Sequence, residues 1–259
     1  VHVRVRDLCK AYDGVDIHKG VELDICRGEI NVIIGGSGAG KSVFTRQLLR
    51  LERPDRGQIL VDGVDIVPLD DFALVPIRKK FGMVFQFGAL FDSMTVFDNV
   101  AFPLREHTRM SEKEIRARVL SKLEDLNVAH AANKLPGQIS GGMNKRSALA
   151  RALVLEPAIL VYDEPTSGLD PLSSRRVDEL IRETSERFGV TSLIITHDMA
   201  SVFEIGTRVS MLYQGRIEAS CTPDEILGSD NPVVIDFLKA SGVSVNELDG
   251  APHPARPPR

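Results

Sequence analysis

Several features that would assign this chain to a particular class of protein are missing from it. In its 259 residues no apolar run approaches the ~20 residues that a helix needs to span a bilayer, and no secretory signal pattern is visible. The net charge of −4 gives no basic surplus of the kind that binds nucleic acids. We therefore expect no transmembrane helix and no nucleic-acid partner.

Cysteine is also scarce. The three cysteines, Cys9, Cys26 and Cys221, are odd in number and lack the spacing of a metal site. This pattern predicts reduced thiols in a cytosolic protein rather than disulfides or zinc ligands. The chain has no internal repeat, and its end, "APHPARPPR", is so rich in proline that residues 244–259 are predicted to be a disordered tail.

Residues 1–243 alternate strand-like and helix-like segments, which is typical of an α/β domain. "VHVRVRDL" has the alternation of an edge strand, whereas "EINVIIG", "AILVYDEP" and "TSLIITHD" are apolar enough to be buried strands. From about 87 to 157 the pattern becomes helical, with Ser111 and Glu114 forming a predicted capping box. We interpret this stretch as a helical subdomain inserted into the α/β core.

A glycine-rich segment, "GGSGAGKS", matches the G-x-x-x-x-G-K-[ST] pattern between a predicted strand and a predicted helix. Glycine lets the backbone wrap closely around phosphate, and the start of the helix adds partial positive charge. Lys41 is expected to reach the β- and γ-phosphates, and Ser42 to ligate Mg²⁺. The predicted nucleotide-binding residues here are Gly35, Gly36, Ser37, Gly38, Ala39, Gly40, Lys41, Ser42 and Val43.

Acidic residues follow the second buried strand. Asp163 is placed to hold Mg²⁺, and Glu164 to orient and deprotonate an attacking water. Taken alone, such a pair is more often a solvated turn, but the glycine-rich loop favours the catalytic role. His197, at the end of the next strand, is predicted to contact the γ-phosphate and Glu164. Gln86 is a candidate Mg²⁺ ligand and γ-phosphate sensor, although unaided it is an ordinary loop residue.

A second anion site is predicted at "ISGG", where Ser140, Gly141 and Gly142 open a helix. The first loop already surrounds the phosphates of one nucleotide within the chain. A second site is useful only if it serves the nucleotide of another molecule. We therefore expect a head-to-tail homodimer, with the segment Ser167–Asp170 lining the same interface.

These motifs, in this order, resemble the ATP-binding cassette (ABC) ATPases from Val3 to Gly242. In that family they are the Walker A loop, Q-loop, signature motif, Walker B strand, D-loop and H-loop. The resemblance implies a P-loop NTPase with a RecA-like core, an antiparallel β subdomain and an inserted helical subdomain. It also implies ATP and Mg²⁺ as ligands, and a role for Tyr12 in stacking on adenine.

Three stretches, "GKSVF", "FGALFDSMTVFDNVAFPLREHT" and "ISGGMNKRSALARAL", are similar to the ATPases of Mce/Mla-type lipid transporters. That resemblance implies a peripheral ATPase dimer on the cytoplasmic side of the bacterial inner membrane. Its partners would be a permease, docked near Phe87–Phe97, and an MCE-domain lipid-binding protein. Two positions depart from the common ABC pattern: Met143 replaces a glutamine, and Val43 replaces a frequent threonine.

Three other functions compete with lipid transport. A DNA-repair or ribosome-associated ABC ATPase is disfavoured because the insert fits a compact subdomain and no basic stripe is present. A module that binds nucleotide without hydrolysis is disfavoured because Glu164 and His197 are both present. Transport of another solute stays open, since only the three subfamily stretches argue against it.

Overall fold

The structure of the protein is a computed structural model that describes residues 1–85 and 88–243. Within these ranges no helix combines the length and apolarity that a bilayer crossing requires. Gln86 and the predicted tail at 244–259 lie outside the described residues.

Strands and helices alternate along most of the described chain. The strands are β1 (Val3–Tyr12), β2 (Val15–Ile25), β3 (Ile30–Ile34), β4 (Arg56–Val61), β5 (Val64–Asp65), β6 (Phe81–Phe85), β7 (Ile159–Asp163), β8 (Thr191–Ile195), β9 (Arg208–Tyr213) and β10 (Arg216–Cys221). The helices are α1 (Lys41–Leu48), α2 (Asp71–Arg78), α3 (Val96–His107), α4 (Glu112–Asp125), α5 (Gly141–Leu153), α6 (Pro171–Phe188), α7 (Met199–Ile205), α8 (Pro223–Leu227) and α9 (Pro232–Ala240).

The larger sheet of the described residues has six strands in the order β10-β9-β3-β8-β7-β6. All of its neighbours are parallel except β9 and β10, which form an antiparallel hairpin. Every residue of β3 is buried, as expected for a strand covered on both faces. Because β3, β7 and β8 are parallel, the segments that follow Ile34, Asp163 and Ile195 lie at one edge of the sheet.

The smaller sheet is antiparallel, in the order β2-β1-β4-β5. The interpretation of β1 as an edge strand was wrong, because β1 pairs with β2 on one side and β4 on the other. Alternation along the strand correctly marks one buried face, with Val3 and Val5 fully buried. It carries no information on whether the backbone edge is paired.

In the order of the chain, helices α3, α4 and α5 follow β6 and precede β7. The capping box at the start of α4 is confirmed: Ser111 Oγ accepts from the Glu114 amide, and Glu114 accepts from the Ser111 amide at 2.7 Å. The inward face of α4 shares a core with α5 and with β6 and β7. The predicted bounds of the helical subdomain, 87–157, stay a prediction.

The β9–β10 hairpin joins the two sheets. It turns at Gln214 and Gly215, whose φ angles of 45° and 83° fit the tight turn of a two-residue hairpin loop. The Lys19 amide donates to the Gly215 carbonyl at 2.8 Å, and a Cβ on Gly215 would lie 2.6 Å from the Ile17 carbonyl oxygen. This close approach fixes β2, with Ile17 and His18, beside the larger sheet.

Candidate functional site: a phosphate-binding cavity

A cavity of about 800 Å³ lies at the carboxyl ends of β3, β7 and β8. The whole glycine-rich segment, Gly35–Val43, lines it, together with Asp163, Glu164 and His197. The structure thus brings together most of the predicted site residues within the described ranges. The remaining lining residues are Ile17, Ile195, Phe237, Ala240 and Ser241.

The glycine-rich loop needs glycine at two positions for steric reasons. Gly40 has a left-handed φ of 98°, and a Cβ there would lie 2.8 Å from Nε2 of His18. A Cβ on Gly35 would lie 2.3 Å from the Leu212 carbonyl oxygen. By contrast, a Cβ on Gly36 or Gly38 would meet no atom of residues 1–85 and 88–243 within 4 Å. The loop is therefore packed tightly on its inner side and open toward the cavity, as a phosphate cradle must be.

The start of α1 supplies positive potential to this cradle. Gly40, at the N-cap position, has no side chain that could cap the helix, and the first turn of α1 contains no acidic residue. The amides of that turn are free to bind an anion. The Lys41 ammonium group donates to the carbonyls of Gly35 and Gly36 at 2.7 and 3.1 Å. Burial lowers the pKa of Lys41, while the carboxylates of Glu164 and Asp163 raise it.

Asp163, at the end of β7, is suited to a divalent cation. Burial raises its pKa, and the neighbouring charge of Glu164 raises it further, against the lowering effect of Lys41. A bound cation would favour the ionised carboxylate. The Ser42 hydroxyl lines the same cavity, and oxygen ligands of these two kinds are those that Mg²⁺ takes beside nucleotide phosphates. The residues present therefore fit the ion.

Glu164 and His197 meet at the edge of the sheet. Nδ1 of His197 lies 2.9 Å from Oε2 of Glu164. The two atoms are not aligned as a hydrogen bond, so the buried Oε2 has no hydrogen-bond partner among the described residues. Glu164 also holds a left-handed φ of 48°, fixed by its amide donating to the Ile195 carbonyl at 2.8 Å. The backbone thus holds the Glu164 carboxylate beside the imidazole, at the wall of the cavity.

Some predicted residues lie away from the cavity. Tyr12 does not line it, and its hydroxyl instead contacts Glu52 while 39% of the residue is exposed. The Lys10 ammonium group lies 5.3 Å from the centroid of the Tyr12 ring. The role of Tyr12 in binding adenine stays a prediction, and so does the role of Gln86, which lies outside the described residues.

The second glycine segment is also separate from the cavity. Ser140, Gly141 and Gly142 are exposed at the start of α5, and Ser140 Oγ accepts from the Met143 amide at 3.3 Å. The start of α5 is therefore exposed and does not line the cavity of its own chain.

Sequence reasoning missed two contributions to the site. His18, on β2, is buried behind the glycine-rich loop, with Nε2 3.1 Å from the Gly40 carbonyl oxygen. A polar residue at an inward position of a strand was the available signal. Phe237 and Ser241, at the end of α9, form part of the cavity wall, and no local pattern in the sequence predicts that placement.

The family model for ABC transporters matches residues 18–167, which include the glycine-rich loop, the second glycine segment and the Asp163–Glu164 pair. The chain belongs to the ABC transporter family.

Relatives of this ABC protein carry transport-related names. A "probable ribonucleotide transport ATP-binding protein mkl" from Mycobacterium leprae is 44% identical, over 92% of this chain and 69% of the relative. The corresponding Mycobacterium tuberculosis protein is also 44% identical, and the chain spans 66% of its length. An "intermembrane phospholipid transport system ATP-binding protein MlaF" from Escherichia coli K12 is 38% identical, over 91% of this chain and 88% of the relative.

Solved structures confirm the predicted fold class. The bacterial ABC transporter cassette MJ0796, solved as a dimer, superposes with a TM-score of 0.75 at 34% identity, covering 85% of this chain and 98% of that one. The cbiO1 protein from Clostridium perfringens gives a TM-score of 0.81 at 32% identity, covering 92% and 94%. A post-hydrolysis state of MJ0796 with ADP and phosphate is equally similar. The chain is an ABC ATPase that binds ATP.

Proposed function

We propose that this ABC ATPase powers phospholipid or other lipid transport from the cytoplasmic face of a bacterial inner membrane. The observation that carries the proposal is the similarity to MlaF over nearly the full length of both chains. Its partners are a membrane permease and, through the permease, an MCE-domain lipid-binding protein. The mycobacterial relatives named for ribonucleotide transport supply a second candidate substrate class.

The two substrate classes are separated by reconstitution. The ATPase and its proposed permease are placed in liposomes together with the MCE-domain protein. We expect ATP-dependent transfer of a fluorescent phospholipid between vesicles, and no ATP-dependent uptake of a labelled ribonucleotide. Ribonucleotide uptake without lipid transfer would refute the lipid proposal and leave the ATPase assignment intact.

In this proposal the cavity residues divide the work of hydrolysis. Lys41 holds the β- and γ-phosphates, while Ser42 and Asp163 hold Mg²⁺, which when bound neutralises charge on the phosphates. Glu164 accepts the proton of the attacking water. His197, in contact with Glu164, orients that carboxylate and the γ-phosphate.

We also propose a head-to-tail homodimer in which Ser140, Gly141 and Gly142 contact the nucleotide of the other chain. The exposure of all three residues and the dimeric state of the similar MJ0796 cassette support it. Lys41→Ala and Ser140→Arg should each abolish hydrolysis when tested alone. Mixing the two variants creates dimers with one competent site, so activity should return in part. No recovery in a mixture shown to exchange subunits would contradict the shared site.

The permease is proposed to bind an apolar groove of about 510 Å³ beside the predicted Phe87–Phe97 segment. Phe85 and Phe91 line it, and both are 44% exposed. Arg151 fixes one wall by donating to the carbonyls of Gly88 and Ala89 at 2.8 Å. A helix laid in an apolar groove is a common mode of recognition. Leu90 and Met94, in the same segment, are half-buried, whereas Phe91 is exposed, so Phe91 is the better position to test.

A charge at Phe91 tests this groove. Phe91→Glu should fold, bind ATP and fail to co-purify with the permease. Val64→Glu is the matched control, since Val64 is 46% exposed on strand β5 and does not line the groove. Wild-type permease binding by folded Phe91→Glu would rule out this groove as the docking site.

A further inference from the structure

A buried carboxyl group on α6 has no part in the machinery described above. Asp178 is 2% exposed. Its Oδ2 lies 2.9 Å from the hydroxyl of Ser201 on α7, and its Oδ1 is buried without a hydrogen-bond partner among the described residues. A buried acidic group in such surroundings requires an explanation, because an isolated charge in the interior is costly.

The Ser201 hydroxyl connects Asp178 to both catalytic segments. It lies 3.2 Å from Oδ2 of Asp198, the residue that follows His197. The same Oδ2 accepts from the Thr166 hydroxyl at 3.0 Å, and Thr166 lies two residues after Glu164. The other oxygen of Asp198 caps α7 by accepting from the Ala200 amide at 3.0 Å. The cluster thus joins the segment that carries Glu164 to the segment that carries His197.

Counting hydrogens shows that one of the two carboxyl groups in this cluster needs a proton. Ser201 has one hydroxyl hydrogen but lies within hydrogen-bond distance of two carboxyl groups, those of Asp178 and Asp198. With both groups ionised, one of these contacts would join two oxygens with no hydrogen between them. A proton on Asp178, the more buried of the two, removes the conflict, because Asp178 then donates to Ser201, and Ser201 donates to Asp198.

We propose that Asp178 is a positioning residue of the hydrolytic site. Its protonated carboxyl donates to Ser201, and Ser201 donates to Asp198, which also accepts from Thr166. These hydrogen bonds converge on Asp198 and hold the Thr166 segment against the loop bearing His197. The inference rests on the proposed roles of Glu164 and His197 in hydrolysis. Neither Asp178 nor Ser201 lines the cavity, so both act through the residues that do.

The electrostatic surroundings agree with the hydrogen count. Burial, the largest effect, raises the pKa of Asp178 to about 6, and the charges of Asp198 and Glu204 also raise it. The Ser201 hydrogen bond and Arg182 act in the opposite direction. From α5, Lys145 also faces the cluster, with its ammonium group donating to the Pro165 carbonyl at 2.7 Å.

The raised pKa gives a signed stability prediction. The folded state favours the neutral carboxyl of Asp178. The folding stability that this proton contributes is fully present below pH 3.8, the usual pKa of an aspartic acid, and is lost as the pH rises through about 6. Asp178→Asn carries a permanent donor in place of the titrating group. Above pH 6 it should melt several degrees higher than the wild type, and the difference should shrink at more acidic pH.

Glu179→Gln is the matched control, because it neutralises an exposed carboxylate on the next residue of the same helix. Its melting difference from the wild type should not depend on pH in this range. A second readout is the infrared carbonyl band of a protonated carboxyl group. It should be present in the wild type, absent in Asp178→Asn, and titrate with a midpoint near 6. A pH-independent melting difference, or no such band, would overturn the inference.

Activity distinguishes positioning from a merely structural role. The ratio of kcat in Asp178→Asn to kcat in the wild type should rise as the pH increases through about 6, with KM for ATP unchanged. A flat ratio would refute the positioning role even if the melting data agree. The proposed function is tested separately: if Glu164→Gln retains normal turnover, the catalytic assignment fails while the titration of Asp178 can still be observed.

Discussion

His18 offers the sharpest test of how the fold holds the glycine-rich loop. The residue is 1% exposed, and its ring lies between the Gly40 carbonyl and the side chain of Gln47 on α1. The carbonyl can only accept, so Nε2 must carry the hydrogen, and Nδ1 of a neutral ring must accept. Nδ1 lies 2.9 Å from Oε1 of Gln47. Nε2 of the same amide is buried and has no hydrogen-bond partner in the part of the chain that the structure describes. Exchanging the oxygen and nitrogen positions of the Gln47 amide places Nε2, a donor, beside Nδ1 of His18.

His18→Leu removes both hydrogen bonds while keeping an apolar side chain in the space. Gln47 is fully buried, so its amide would lose a partner at a cost of about 1–3 kcal/mol. The Gly40 carbonyl is half-buried and should cost about 1 kcal/mol. We expect a loss of folding stability of about 2–4 kcal/mol, and freeing Gly40 should weaken ATP binding about tenfold, or about 1.4 kcal/mol.

The assays are titration with a fluorescent ATP analogue and thermal unfolding, with His2→Leu as the matched control. His2 is also a buried histidine, 2% exposed, and its Nδ1 lies 2.8 Å from the Thr191 hydroxyl. It does not line the cavity, so its loss should lower Tm without changing ATP affinity. Unchanged ATP affinity in a folded His18→Leu protein would refute the positioning role of His18.

The pH dependence of stability provides an independent check. Burial lowers the pKa of His18 below 6.5, because the interior disfavours the charged ring. The folded state therefore favours neutral histidine, and the stability contributed by this preference is present above pH 6.5 and lost as the pH falls. His18→Leu should show less of this acid destabilisation than the wild type.

Three further predictions follow from the structure. Glu164→Gln should lower kcat by about 10²–10⁴-fold while the Kd for ATP measured by titration stays near the wild-type value. Gly40→Ala should destabilise the protein by at least about 1 kcal/mol in chemical unfolding and weaken ATP binding, because its Cβ would press on His18 at a left-handed φ. Leu123→Ala, in the fully buried face of α4, should cost about 2–5 kcal/mol in the same unfolding assay without changing the cavity. A Leu123→Ala protein as stable as the wild type would contradict the packing of α4.

Features that depend on short stretches of chain were predictable from the sequence. The phosphate loop between β3 and α1, the capping box at Ser111 and the turn at Gln214–Gly215 each require particular residues at fixed short spacing. Backbone geometry ties those residue types to one local structure, so the pattern suffices. The meeting of Asp163, Glu164 and the Gly35 loop also followed, because parallel strands end at a common edge.

Only the tertiary structure decided which distant groups become partners. The alternation of β1 marked its buried face, but pairing on both of its edges depends on β2 and β4. His18 reaches Gly40, α9 supplies Phe237 to the cavity, and Asp178 meets Asp198 through Ser201. Each of these contacts joins separate helices, strands or loops, and no periodic pattern in the sequence indicates that they meet. A buried polar group must find a partner, but the packing of whole helices and strands selects which one.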